Sequence, residues 1–291
     1  MAGRKLTLWQ HGKEQRAIMV VTDTIVALMN KVPDPVATLF RSETFGARLL
    51  RPLVNRLVPR NPTWVVVRSG EARGLHLLID PQHEKFYWSG THELVLQQVI
   101  ARILKPGMTF WDIGANIGFF TLLASRYVGE AGQVHAFEPM DQNRERLLAA
   151  VAVNRCNNIT IHNYALAAIR GEALLHAHAS PLMWTLVPNR GQQKGQMVTC
   201  ATLDDLALSV PLPDLIKIDV EGAELGVLCG GVQFLATAKP CLLVEFSDAV
   251  LLAKARELLS FYTFTRLTPQ HWLLADEIAL ADKVCRQYVT E

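Results

Sequence analysis

No CxxC pair occurs anywhere in the 291 residues. The five cysteines, Cys156, Cys200, Cys229, Cys241 and Cys285, are widely spaced and odd in number. Neither a disulfide framework nor a cysteine-based zinc site is expected, and a reducing compartment fits. Most of these thiols read as small core residues. Long apolar runs are missing too. The best candidate, "AIMVVTDTIVALM" from Ala17, is interrupted by Asp23 and two threonines, whereas a bilayer-spanning helix needs about 20 mostly apolar residues. After "MAGRK" the chain turns polar, so no secretory signal is expected. Net charge is only +2, which gives no general bias towards nucleic acid. Internal repeats and low-complexity tracts are absent. These gaps point to a cytoplasmic protein.

What is present is an ordinary globular composition, 50% hydrophobic and 19% charged, enough for one large domain with an appendage. The charge is uneven. Residues 1–60 hold ten Lys/Arg against four Asp/Glu, a net of +6, which leaves −4 for the rest. Residues 15–58 read as helical, with Arg41, Arg48, Arg51, Arg56 and Arg60 among apolar residues. The plainer reading is a solvated helix face packed on the main domain. The second is a peripheral contact between residues 34–60 and a membrane surface or acidic partner. Pro59 and Pro62 close this region, so 1–62 is taken as a helical, basic N-terminal extension and 63–291 as the main domain.

In the main domain, "TWVVVRS" and "GLHLLID" read as a leading β-hairpin within 63–90, turning at "GEARG". The stretch "THELVLQQVIARIL" has helical spacing with Thr91 as candidate N-cap. From there to 291, strands and helices alternate. "MTFWDIG", "QVHAFEP", "NITIHNYAL", "LPDLIKIDV" and "PCLLVEFS" read as strands. "FFTLLASRYV", "QNRERLLAAVAVN", "AELGVLCGGVQFLATA" and "AVLLAKARELLSFY" read as helices. "FTFTRLT" and "HWLLAD" suggest a final strand pair. This alternation implies an α/β fold, a mostly parallel sheet with helices on both faces.

In such sheets a ligand sits beyond the carboxyl ends of the strands. The first strand–turn–helix there is "FWDIGANIGFFTLLA", with Gly114 and Gly118 spaced G-x-x-x-G. That is not the G-x-G-x-x-G of dinucleotide sites, so no pyrophosphate is implied. The glycines are expected to let backbone approach a ligand. Asp112 at the strand end suits a cationic ligand, and Asn116 lies in the same turn. Glu138 closes the next strand, 26 positions after Asp112, placed to take both hydroxyls of a ribose. Asn163 and Ala165, after the third strand, lie where an adenine would be read; His162 reads as structural. A positively charged nucleoside without phosphate fits, and S-adenosylmethionine is one.

"DIGANIGFFTLLA", "FEP", "TLDDL" and "DLIKIDVEGAELGVLCG" resemble the FkbM family of S-adenosylmethionine-dependent methyltransferases, over about Tyr87 to Phe246. The resemblance implies the class I methyltransferase fold, Rossmann-like, with a seven-stranded sheet ending in an antiparallel hairpin. It implies S-adenosyl-L-methionine as cofactor and an acceptor hydroxyl on a natural product, sugar or glycan, or else a nitrogen on a peptide or small molecule. Glu93, in "SGTHE", matches a glutamate of the family pattern and is assigned to the cofactor side.

Methyl transfer from a sulfonium needs an aligned nucleophile and, for a hydroxyl, a proton acceptor. The fourth strand end offers Lys217, Asp219, Glu221 and Glu224; the fifth offers Glu245. Acids and a lysine at a strand end are costly unless paired or working. Asp219, Glu221, Lys217 and Glu245 are the candidate catalytic set, with an ion-paired helix cap as the bland alternative. The polar stretch 176–196, with Trp184, reads as a lid or substrate loop. His176 and His178 alternate but lack further ligands, so no metal is assigned. A nicotinamide enzyme is disfavoured by the missing fingerprint. A non-catalytic binding module remains the alternative from another class, and a homo-oligomer is compatible with the sequence.

Overall fold

The computed structural model describes residues 61–177, 184–185 and 195–276. The expected N-terminal extension up to residue 60, His178 and Cys285 lie outside them. The chain forms two compact units, Met1–Ser69 with Arg73–His92 and Gly70–Ala72 with Glu93–Glu291. In the first, β1 (Thr63–Val66) pairs antiparallel with β2 (His76–Ile79), Thr63 opposite Ile79. Val65, Leu77 and Ile79 are buried. The short helix α1 (Lys85–Ser89) follows and ends at Gly90.

The second unit begins its regular structure with α2 (Leu94–Ile103), which buries Leu96, Val99, Ile100 and Ile103. Thr91 does not cap it. The Thr91 hydroxyl is shared with that of Ser89 at 2.7 Å, and the helix starts behind Glu93, whose backbone is left-handed.

Next come β3 (Thr109–Ile113), α3 (Phe119–Val128), β4 (Gln133–Phe137), α4 (Asp141–Asn154) and β5 (Ile159–His162). The strand expected over "NITIHNYAL" breaks after His162. Its tail, β6 (Ala165–Leu166), joins a separate four-stranded sheet with β7 (Gly171–Ala177), β8 (Trp184–Thr185) and β9 (Gly195–Ala201), ordered β6-β9-β7-β8. The break separates two registers, β5 on β4 and β6 on β9. Most of the expected lid lies outside the described residues; Trp184–Thr185 is paired with β7.

Then follow α5 (Leu203–Leu206), β10 (Leu215–Ile218), α6 (Glu224–Cys229), α7 (Val232–Ala238), β11 (Cys241–Glu245), α8 (Ala249–Leu258), β12 (Thr263–Arg266) and β13 (His271–Ala275). One helix is expected over "AELGVLCGGVQFLATA", but two form. The Gly230 carbonyl accepts the Asp204 N–H at 3.0 Å, and Asp204 Oδ1 takes the Phe234 N–H of the second helix at 2.8 Å. The glycine pair lets the chain reset between them, since glycine weakens a helix interior.

The main sheet runs β12-β13-β11-β10-β3-β4-β5. Five strands are parallel, and β13 is antiparallel to both β11 and β12. This is the seven-stranded class I methyltransferase arrangement with its terminal hairpin. Side chains alternate between two covered faces. On one, Trp111, Phe137, Ile216 and Val244 pack with Leu228, Phe234 and Ala255 from the helices. Trp111 stacks on Phe234 at 5.7 Å and donates its indole N–H to the Pro211 carbonyl at 3.0 Å. On the other, Ala136 packs with Ala115 and Leu147. Among the described residues, no helix is long and apolar enough to cross a membrane.

Candidate active site

In the turn after β3 both glycines are closely packed by protein atoms. Gly114 has φ 78° and Gly118 φ 90°, both left-handed. A Cβ on Gly114 would lie 1.9 Å from the Asp219 carbonyl oxygen, and one on Gly118 would lie 2.2 Å from Leu147 Cδ1. Gly114 thus brings the end of β10 against the end of β3, where the Asp219 N–H donates to the Ile113 carbonyl at 3.1 Å. The close neighbour of Gly114 is backbone at the end of β10, and that of Gly118 is the Leu147 side chain.

Asn116 sits between the glycines at φ 49°. Its N–H donates to Glu138 Oε2 at 2.8 Å, while Glu138 Oε1 accepts the Met140 N–H at 2.9 Å and the Asn143 amide at 3.4 Å. Glu138 therefore ties the β3 turn to the start of α4. Burial pushes its carboxyl up to about 7 against the lowering effect of the Met140 and Asn116 N–H groups. A carboxylate has about four lone-pair directions, two on each oxygen, so this bonding leaves acceptor capacity on Oε2. Asn116 Oδ1 is buried and has no hydrogen-bond partner among the described residues.

Asp112, read as suited to a cationic ligand, is fully buried. It is sealed, with Oδ2 accepting the Thr121 hydroxyl at 2.6 Å and Oδ1 3.4 Å from Lys217 Nζ. Lys217 is equally buried. Its Nζ lies 3.2 Å from Asp219 Oδ2 and 5.3 Å from the centre of the Phe120 ring. Burial opposes the ammonium, yet Asp219, Asp112 and Glu93 together hold its pKa above the ordinary lysine value. Lys217 is a link between two carboxylates.

Around that link the fold gathers Glu93, Glu221 and Glu245. Burial, then Asp219, push Glu93 up to about 7. Burial, Asp219 and Glu224 do the same to Glu221. Burial and Asp219, which also hydrogen-bonds it, take Glu245 up to about 9. Glu224 stays with its own loop, where Oε1 accepts the Val220 and Gly222 N–H groups. All four expected catalytic residues and Glu93 thus meet at one place. Glu93 is no first-turn helix residue; it is the residue before the helix.

Among the described residues, five non-glycine residues have left-handed backbone. Arg155 and Lys239 simply end helices. Glu93, Asn116 and Glu221 are the other three. Such a conformation costs on the order of 1–3 kcal/mol at each, so the strain is concentrated at this site.

Asn163 is exposed just past β5, and Ala165 is buried at the start of β6 against Met140. His162 is structural as expected: it stacks on Phe137 at 4.6 Å and its Nε2 lies 3.1 Å from His135 Nδ1. Sequence reasoning passed over His271. It is the first residue of β13, opposite Glu245 in register, and its Nε2 lies 3.6 Å from Glu93 Oε2. No motif marks it; only the antiparallel pairing of β13 with β11 brings it here.

A profile of the methyltransferase FkbM domain matches residues 112–265, more than half of the chain. The chain belongs to the FkbM family of S-adenosylmethionine-dependent methyltransferases. This FkbM chain is similar to the hexuronic acid methyltransferase AglP of Haloferax volcanii, 26% identical over 188 residues that cover 60% of this chain and 75% of that protein. Among solved structures it is similar to an FkbM methyltransferase of Methylobacillus flagellatus KT, with 17% identity and a TM-score of 0.43. That match covers 79% of this chain and 60% of the Methylobacillus one. It is also similar to Aeropyrum pernix fibrillarin with bound S-adenosyl-L-methionine, with 13% identity, a TM-score of 0.40, and 59% and 67% covered.

The residues of the FkbM site fit the cofactor. A buried Asn116 oxygen without a protein partner awaits a donor. Carboxylates outnumber the single buried lysine, which favours a sulfonium and an ammonium. Asn116 and Glu138 would hold the nucleoside; Glu93 and Asp219 would face the cationic part.

Proposed function

We propose that this methyltransferase acts on a hydroxyl of a sugar, glycan or natural product, with Glu221 as proton acceptor. S-adenosylmethionine supplies a methyl already activated on a sulfonium. The rest falls to the protein: to align the hydroxyl oxygen in line with the methyl and to take its proton as the new C–O bond forms. The observation that carries this reading is Glu221 itself. It follows the carboxyl end of β10, in left-handed backbone, with a carboxyl raised to about 7. A base works best when its pKa lies near the working pH.

Asp219 is the positioning group beside it. Lys217 holds one oxygen, and Glu245 shares a hydrogen bond with the same carboxyl group. With Glu245 protonated, Lys217 charged and Asp219 ionised, the trio carries no net charge, where two ionised carboxylates would repel. Similarity to an enzyme that methylates a hexuronic acid supports a sugar-type acceptor.

The test is incubation with S-adenosylmethionine and a panel of sugars, uronates and polyhydroxylated small molecules, with mass and fragment assignment of the product. Methylation on oxygen is expected. Glu221→Gln should lower kcat about 100- to 10,000-fold and leave cofactor affinity within a few-fold. Methyl found on nitrogen would overturn the hydroxyl reading, and an unchanged kcat in Glu221→Gln would remove Glu221 from the role.

A further inference from the structure

Thr268 lies in the turn between β12 and β13, and its hydroxyl oxygen is already used. It accepts the His271 N–H at 3.0 Å and the Gln270 N–H at 3.3 Å. A hydroxyl has two acceptor lone pairs and one proton to give. The Thr268 hydroxyl therefore donates to the atom that remains, His271 Nδ1 at 2.8 Å. That bond makes Nδ1 an acceptor and puts the ring proton on Nε2. Nε2 is buried, without a hydrogen-bond partner, and faces Glu93 Oε2 at 3.6 Å. The distance exceeds a hydrogen bond but allows direct electrostatic contact.

We infer that Thr268 and His271 form a positioning device that fixes a neutral, Nε2-protonated imidazole against Glu93 and favours the ionised form of that carboxyl when it meets the cationic end of the cofactor. Placement supports the link. Glu93 precedes α2 in a strained backbone conformation. His271 pairs with Glu245 in the strand ladder, so the hairpin carries the imidazole to the same edge as the acids. The groups facing Glu93 are Asp219, Lys217, Glu221, Asp112, Glu245 and His271. Asp219, Glu221 and Asp112 resist ionisation of Glu93, and Lys217 favours it. An N–H donor that carries no net charge helps the carboxylate without adding a titrating cation. Burial holds the His271 pKa below the ordinary histidine value, in keeping with a ring that stays neutral.

This inference rests on the family's cofactor and is independent of the acceptor proposed above. Its test is calorimetric titration with S-adenosylmethionine, and with S-adenosylhomocysteine as the uncharged-sulfur control, from pH 5.5 to 8.5. Wild-type affinity for S-adenosylmethionine should fall as pH drops through about 7, where Glu93 is protonated. His271→Phe should move that midpoint upward and weaken binding several-fold at neutral pH. His271→Gln keeps an N–H donor and should restore most of the affinity. Thr268→Val keeps both His271 and Glu93, so it tests the tautomer even if His271→Phe folds poorly; it should shift the midpoint the same way by less. Glu93→Gln should bind weakly with little pH dependence, and S-adenosylhomocysteine should be less sensitive throughout. An unchanged midpoint in both folded Thr268→Val and His271→Phe would overturn the inference, as would a His271→Gln no better than His271→Phe. A wild type that fails to bind the cofactor at any pH would overturn the cofactor assignment together with the inference; the acceptor assay reports on the hydroxyl reading separately.

Discussion

Lys217 and Asp112 are register partners on neighbouring parallel strands, and their side chains meet at 3.4 Å with both residues sealed from solvent. The same ammonium reaches Asp219 at 3.2 Å. One buried cation thus couples the floor of the sheet to the reaction edge. Removing one partner of a buried pair leaves the other uncompensated and costs about 3–5 kcal/mol. Lys217→Met should lose stability on that scale in urea denaturation. Asp112→Asn should lose less, because Lys217 keeps Asp219 and the amide can still accept from Thr121. Equal losses would show that the Asp112 contact matters as much as the whole three-way link.

Gly114 and Gly118 separate two reasons for a glycine. At Gly114 an added methyl meets the Asp219 carbonyl backbone at 1.9 Å; at Gly118 it meets the end of a leucine side chain at 2.2 Å. Backbone cannot yield without moving β10, whereas Leu147 can rotate. Both carry the penalty of left-handed backbone, about 1 kcal/mol. Gly114→Ala should therefore cost well over that, about 3 kcal/mol or more, and weaken cofactor binding by displacing Asp219. Gly118→Ala should be the milder change. Thermal melts and calorimetry on the two variants give the order directly.

Glu138 is expected to act on the cofactor through the loop as well as by contact. Its two oxygens hold the Asn116 and Met140 N–H groups. Glu138→Gln keeps one acceptor oxygen and turns an amide towards a backbone donor, so one N–H loses its partner. Such a loss costs about 1–3 kcal/mol. S-adenosylmethionine affinity should fall at least tenfold, and hydrogen exchange at Asn116 should quicken. Reduced affinity with unchanged exchange would assign the whole effect to direct contact.

Much of this site could be read from the chain because its acids interrupt apolar strands. Asp112 in "FWDIG", Glu138 in "HAFEP", Lys217 and Asp219 in "IKIDV" and Glu245 in "LLVEF" are polar residues where a buried strand should have none. Strand order then follows from the α/β alternation, and the strand ends converge. His271 and Thr268 carry no such mark, since "LTPQHWLL" reads as an ordinary turn and strand. Their role depends on β13 entering antiparallel beside β11, a long-range register. The second sheet is hard to read because β6 and β8 have two residues each, while the longer β7 and β9 leave Leu174 and Met197 exposed and bring Leu175, Val198 and Cys200 to a small buried face with Met140 and Ala165. The split at Gly230–Gly231 lay in plain view as a glycine pair, but apolar periodicity on both sides masked it.

The raised carboxyls fix how stability should depend on pH. Glu93, Glu138 and Glu221 lie at about 7 and Glu245 at about 9, against an ordinary 4.5. Between 4.5 and those values the folded chain holds more protons than the unfolded one on these groups, so their contribution to stability falls as pH rises. Histidine works the other way. His135 is lowered by burial to about 4 from 6.5, and His162 and His271 are lowered too. For them the unfolded chain binds more protons, and stability rises with pH until about 6.5. The two sets oppose each other in mild acid, but above 6.5 the carboxyls dominate, and the raised thiol of Cys241 acts in the same direction towards pH 9. The melting temperature without cofactor should therefore fall steadily from pH 6.5 to 9. Glu245→Gln should flatten the upper part of that decline, because its carboxyl is the highest of the set. S-adenosylmethionine, a cation that favours ionised acids, should raise the melting temperature more at pH 8.5 than at pH 6.5. A melting temperature that is flat or rising over 6.5 to 9 would mean that these carboxyls are ionised in the folded protein at neutral pH, paired more completely than one buried lysine allows.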